Sequence, residues 1–331
     1  MKIRELFENI FLEDFDEKKS VKDLKVLSNN TSLSDGVYYG DLNLSHFGLT
    51  DLEGSPREIT GDFKCDYNLL TNLEGAPEIV NETFDCSSNK SLVTLKGSLK
   101  EVGVINASFC PKLQSLEYFP KQINISENTA FLENDFKHCD IRSLKGLPYV
   151  LWAGLDLSNN VNLTSLEGGP SEIIGGLTLY DCTGLTSLKG APKKIDGTFE
   201  CSGCPIISLE GFPQEGVYDV LCRHTNISSL QGIAREINGS LFLEDNHNLT
   251  SLKNIHKFID TIDGTIFFSC EHVKSNVLGV LKIKGLYGVE AEGNAELNEI
   301  LNRYLPNPTP DKIIDCQNEL IEAGFEEYAE L

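Results

Sequence analysis

Apolar positions return along this chain at a fixed interval. Leu52, Leu73, Leu95, Leu116, Leu144, Leu166, Leu188, Leu209, Leu230 and Leu252 stand 21 or 22 residues apart, with one interval of 28. Each sits in a shared phrase, such as LTDLEGSPREI, LTNLEGAPEIV, LTSLEGGPSEI or LTSLKGAPKKI. A period of this size predicts a solenoid, in which each repeat buries its apolar face only by stacking on its neighbours.

Further inward columns run in register with these leucines. Three residues earlier stand Leu49, Leu70, Leu92, Leu113, Ile141, Leu163, Leu185, Ile206, Ile227 and Leu249. Seven residues later stand Ile59, Val80, Val102, Ile123, Leu151, Ile173, Ile195, Ile237 and Ile259, with Gly216 beside Val217 in the remaining repeat. Upstream lies a period-2 segment: Phe63 and Cys65, Phe84 and Cys86, Leu155 and Leu157, Leu177 and Leu179, Phe199 and Cys201, Leu241 and Leu243. Such alternation predicts one short strand per repeat with one face buried.

The strand ends in a distinct slot, filled by Asn68, Asn89, Asn160 and Asn246, by Cys110, Cys139, Cys182 and Cys204, or by Thr225. An inward asparagine can donate to and accept from backbone groups that the turn would otherwise bury unpaired. Cysteine is small and apolar enough to replace it. Glycines follow most key leucines by two (Gly54, Gly75, Gly97, Gly146, Gly168, Gly190, Gly211, Gly232), and in most repeats a proline comes two later. Glycine permits a turn and proline resists helix, so the return path is expected to be irregular, with no helix between residues 50 and 260. Ten strands about 4.8 Å apart give an arc of about 45–50 Å.

The phrase L-x-L-x-x-N/C, with a leucine step and a Gly–Pro return, resembles the leucine-rich repeat in its short bacterial and tailed-phage forms. The closing segment DCQNELIEAGFEEYAEL resembles repeat proteins of T4-like tailed phages. The resemblance implies an α/β repeat solenoid, shaped as a leucine-rich-repeat horseshoe or arc with an irregular convex side. Residues 40–272 are expected to hold ten to eleven repeats. Residues 1–39 and 273–331 are expected to form helical N- and C-terminal caps. At the front, Ile3, Leu6, Phe7, Ile10 and Phe11 mark one face of an amphipathic helix. At the back, a helix over 294–305 and the linker PNPTP precede a second helix. That helix has Thr309 as its cap and Pro310 at its first position, and stops at Gly324. Extra residues at 124–136 have two readings, a projecting recognition element or a degenerate repeat.

Charge narrows the partner. The chain carries 50 acidic and 28 basic side chains, a formal net charge of -22. That surface repels nucleic acid and anionic membrane and suits a basic or nucleic-acid-binding protein; solubility alone is the plainer account. No apolar run is long enough for a membrane span. The start, MKIRELFENIFLEDF, has no apolar signal core, so a cytoplasmic protein is expected, in a bacterial host if phage-encoded.

No nucleophile elbow, phosphate loop or metalloprotease motif is present, and neither an enzyme, a cofactor nor a small-molecule substrate is expected. Cys201 and Cys204 form C-x-x-C, but the repeat register puts both at core positions, so ten free thiols and no metal are expected. His138 and His224 fall at outward strand ends. The outward strand positions form the expected concave binding face, of which Lys64, Tyr67, Asp85, Asp156, Tyr180, Asp181, Glu200, Arg223, His224, Phe242 and Glu244 are the candidate contacts. Rings supply contact area there and carboxylates select charge. The expected function is a non-enzymatic protein-binding scaffold, a phage accessory protein that engages a host protein, with inhibition of a defence factor as one such role. The alternatives are a virion-associated structural or adhesin component, or an acidic DNA mimic.

Overall fold

A computed structural model describes residues 19–24, 33–122, 133–305 and 308–330. The expected N-terminal helix and most of the extra residues at 124–136 lie outside these. The described chain winds into a parallel β-solenoid. Strands Leu42–Asn43, Phe63–Lys64, Ile79–Asp85, Glu101–Asn106, Glu133–Asp135 and Gly154–Asp156 pair in parallel, each with the next. The ladder continues through Leu177–Thr178, Lys194–Glu200, Glu215–Leu221, Leu241–Phe242, Thr265–Ser269 and Gly288–Glu292. It therefore passes the expected boundary at residue 272, because Val289 and Ala291 keep the inward alternation going with both side chains buried.

One strand per repeat is too few. The branched residues placed seven after each key leucine form a second parallel ladder. Ile59 pairs with Val80, Val80 with Val102, Leu151 with Ile173 and Ile173 with Ile195. The Gly–Pro return leads the chain out of its turn, and these β-branched side chains then bury one face of a second strand. In some turns the two strands fuse across a bend, as in Ile79–Asp85 and Lys194–Glu200. Ile262, not Ile259, pairs with Ile237. A one-turn helix, α1 (Ile255–Phe258), precedes it and corrects the expectation of no helix before residue 260.

The second ladder breaks at the extra residues. Val102 pairs there with Gln122, which is buried; the expected Ile123 lies outside the described residues. Its side chain restores the missing rung: Trp152 N–H donates to Gln122 Oε1 at 2.7 Å, and Gln122 Nε2 donates to Trp152 O at 2.6 Å. Asn134, buried in an otherwise apolar column, accepts from Ile105 N–H at 3.2 Å and donates to Gly154 O at 3.2 Å. Two buried amides thus satisfy backbone groups where the ladder breaks.

From Asn68 to Cys204, the choice between asparagine and cysteine follows the length of the preceding corner. After Asn89, Cys110, Asn160 and Cys182 the next inward residue is three along. Leu92, Leu113, Leu163 and Leu185 N–H donate to those slots' own carbonyls at 3.0, 2.9, 3.0 and 2.9 Å. The following slots need no acceptor and hold Cys110, Cys139, Cys182 and Cys204, whose thiols donate to carbonyls of the preceding turn. After Asn68 and Cys139 the corner is one residue shorter. Leu70 and Ile141 N–H donate instead to Asn89 Oδ1 and Asn160 Oδ1 at 3.1 and 2.8 Å. Asparagine stands where an acceptor is required, and cysteine where a weak donor suffices.

The key glycines have two roles. Gly54, Gly75, Gly146, Gly168, Gly190, Gly211 and Gly232 take positive φ, as a turn requires. Gly97 instead bridges to Leu73, where a Cβ would lie 1.9 Å from Leu73 O. At the far end, α2 (Ala295–Tyr304) starts at Asn294, whose side chain accepts from Leu297 N–H. Helix α3 (Pro310–Glu322) starts at Thr309, with Pro310 at its first position, and Gly324 beyond its end has positive φ. Asn302 of α2 bonds Val289 N–H and O at 2.9 and 2.8 Å, so the outer edge of the last strand is paired.

Candidate binding face

All eleven candidate contacts lie on the solvent side of the longer ladder, in three columns. Lys64, Asp85, Asp156, Glu200 and Phe242 occupy the outward position between the two inward residues of the strand, and each is half-buried. Tyr180, Arg223 and Glu244 lie two residues further on. Tyr67, Asp181 and His224 lie next, immediately before the Asn/Cys slot.

This last column, rich in His, Asn and Asp, shares one conformation. His46, Tyr67, Ser88, Phe109, His138, Asn159, Asp181, His224 and Asp245 all adopt left-handed backbone, with φ between 51° and 63°. For non-glycine residues that is uncommon and costs about 1–2 kcal/mol each. Hydrogen bonds hold them there: Tyr67 N–H donates to Ser87 O at 3.1 Å, His138 N–H to Ser158 O at 2.9 Å and Asp181 N–H to Ser202 O at 2.9 Å. The ladder therefore runs through the corner before the chain turns inward. Neighbouring turns set these side chains one strand spacing apart, which suits stacking. His46 stacks on Tyr67 with centroids 4.5 Å apart, and Phe109 on His138 at 4.7 Å. Tyr67 and Tyr180 are exposed.

Part of the acidic column has local work. Asp85 Oδ1 accepts from Ser87 N–H at 3.0 Å, Asp156 Oδ1 from Ser158 N–H at 2.8 Å, and Glu200 Oε1 from Ser202 N–H at 2.9 Å. Each carboxylate satisfies a backbone donor of its own strand end, while its second oxygen stays available. Burial raises Asp85 above the ordinary carboxylate range. Burial, reinforced by Asp156 and Asp135, does the same to Glu133. Carboxylates crowd one another on this face.

Cations on the face are already engaged. Lys64 pairs with Asp62 at 3.6 Å, Lys137 with Asp135 at 2.7 Å and Arg223 with Glu244 at 3.0 Å. Asp66, Asp156, Glu200, Glu290 and Glu292 add further negative charge, so the field over the sheet is acidic. His224 Nε2 lies 3.3 Å from Asp245 Oδ2.

An aromatic cluster marks the end toward α2. Phe242 stacks on Phe267 with centroids 4.5 Å apart and planes 6° apart, and the Arg223 guanidinium lies 4.5 Å from the Phe242 centroid. Beyond Phe267 an open depression of about 420 Å³ is lined by Glu244, Thr265, Phe267, Glu290 and Glu292. Sequence reasoning missed Phe267, Glu290 and Glu292. The alternation of Ile266 with Phe268, and of Val289 with Ala291, is the signal that could have placed them.

The C-x-x-C pair does not converge. Cys201 Sγ faces Cys222 Sγ at 3.1 Å, whereas Cys204 donates to Leu179 O at 3.0 Å. Nine of the ten thiols are buried and Cys270 is partly exposed. Burial pushes the Cys110, Cys139 and Cys316 thiols up to about 12, which disfavours the reactive thiolate. Cys201 is raised first by its contact with Cys222 and then by burial. Among the described residues no three or more His, Cys, Asp or Glu side chains are placed to share a metal ion, and no helix is long and apolar enough to cross a membrane. Compared with known families, curated proteins and solved structures, the chain matches none.

Proposed function

We propose that the chain is a non-enzymatic protein-binding scaffold whose long sheet face recognises a basic protein. One observation carries the reading: the outward columns are continuous and net acidic, and Lys64, Lys137 and Arg223 are each paired with carboxylates of the same face. Rings stacked across turns add preordered apolar area at little further entropic cost. The strand, slot and Gly–Pro return support a leucine-rich-repeat arc with this face concave, and α2 and α3 serve as its C-terminal cap. On the resemblance to T4-like phage repeat proteins, the partner is a host protein in the bacterial cytoplasm, and a nucleic-acid-binding defence factor fits the charge.

The test is capture from host lysate with the purified full chain, followed by cross-linking of each retained protein. The reading expects a basic partner, released by salt, whose cross-links map to residues in the columns of Lys64, Tyr180 and Tyr67. Cross-links confined to the Gly–Pro return, or a partner insensitive to salt, reject it.

A further inference from the structure

We infer that the depression beyond Phe267 is a seat for an arginine side chain of the partner. The inference rests on the sheet-face reading and deepens it. The chain contains its own precedent two turns earlier, where Arg223 sits 4.5 Å from the Phe242 ring centroid while its Nε bonds Glu244 at 3.0 Å. Ring and carboxylate together hold a guanidinium. Phe242 is flanked by Arg223 and by Phe267, parallel to it within 6°. Phe267 is followed in the ladder by Glu290, and the space of about 420 Å³ opens there.

The lining supplies what a guanidinium recognises. Phe267 offers an aromatic surface, and Glu290 and Glu292 stand beside it, both exposed. Glu292 accepts from Ser269 Oγ at 2.7 Å, which holds one carboxylate oxygen in place. The spacing of adjacent strands sets ring and carboxylates side by side. A guanidinium is planar, stacks on a ring and can fork to two carboxylates at once; an ammonium is a more strongly hydrated point charge. The pocket is therefore selective for arginine over lysine. An apolar side chain would bury the carboxylates with no cation to balance their charge.

Fluorescein-labelled peptides of alternating glycine and arginine, lysine or citrulline are titrated into the full chain. The Phe267→Leu and Glu290→Gln/Glu292→Gln variants follow, with thermal unfolding as the folding control. The arginine peptide should bind at least about threefold more tightly than the lysine peptide, and the neutral citrulline peptide should not compete. Each variant should weaken arginine binding about threefold to tenfold and reduce the preference over lysine. Equal binding of arginine and lysine overturns the inference. So does arginine binding that Phe267→Leu and the double variant leave unchanged while Tyr67→Ala and Tyr180→Ala reduce it, a result that leaves the sheet-face reading standing. If no face substitution alters binding, both fall.

Discussion

Replacing Asn160 by cysteine tests the rule that corner length selects the slot residue. Asn160 is buried and makes three side-chain bonds: Nδ2 donates to Phe136 O at 2.9 Å and Leu157 O at 2.7 Å, and Oδ1 accepts from Ile141 N–H at 2.8 Å. Leu157 O also receives the Cys182 thiol at 3.2 Å, so it keeps a partner in any variant. A cysteine at 160 can donate to Phe136 O, as Cys182 does to Leu157 O. It cannot replace the acceptor for Ile141 N–H, because the short corner after Cys139 brings no carbonyl into the position that Asn89 O offers Leu92. An unpaired buried N–H costs about 1–3 kcal/mol, so Asn160→Cys should destabilise by about that amount. Asn160→Ala leaves Phe136 O unpaired as well and should cost about 2–6 kcal/mol. Cys182→Ala removes only a weak donor and should cost least. Lengthening the corner by one glycine after Asp140 should recover much of the loss in Asn160→Cys but not in Asn160→Ala. Urea unfolding of the variants, with amide exchange at Ile141 as the local readout, measures each quantity. The rule is refuted if Asn160→Cys matches the parent chain, or if the added glycine fails to separate the two variants.

Other predictions follow from single observations. Gly97→Ala should destabilise by about 2 kcal/mol or more, because the new Cβ meets Leu73 O in a backbone bridge; an unchanged melting temperature would deny that close approach. Asp85 has a raised folded-state value, so the fold favours its protonated form, and that contribution is complete below 3.8 and lost as pH rises through the raised value. Asp85→Asn should therefore be more stable than the parent at neutral pH, with the gain vanishing below 3.8; a constant difference would show that burial of charge is not the cause. Thiol titration of denatured, unreduced protein should count ten, whereas in native protein Cys270 should react first; fast reaction elsewhere would contradict the burial described.

The repeat was legible because burial imposes a strict period. Each key leucine must meet its counterparts above and below, so Leu52 through Leu252 share one environment. The Asn/Cys slot was legible for the same reason. The second ladder was not predicted, since a column such as Ile59, Val80 and Val102 shows that a residue is inward without showing its backbone. Gln122 and Asn134 were invisible because they break the apolar pattern at the point where the chain lengthens, and their role depends on Trp152 and Gly154, reached only by folding. The left-handed corner left only a diffuse mark, His, Asn, Asp and Gly203 recurring before the slot, because at Tyr67, Ser88 and Phe109 hydrogen bonds hold it without such residues. On the face, Arg223, Phe242 and Glu244 were identified one by one, but their joining into a stacked and ion-paired cluster depends on Phe267 in the next turn.

The central claim is that the sheet face, with its aligned rings and carboxylates, is the surface that binds. Partner affinity measured for Tyr67→Ala, Tyr180→Ala and Phe242→Ala, beside Tyr118→Ala and Tyr149→Ala on the return path, tests it most directly. All of these rings are exposed except Phe242, which is half-buried, so each truncation should leave the core intact. The account predicts that Tyr180→Ala weakens binding at least about tenfold, with losses also at Tyr67 and Phe242, while the return-path substitutions stay within about twofold. Unchanged affinity in all three face variants, with loss at Tyr118 and Tyr149, would contradict it.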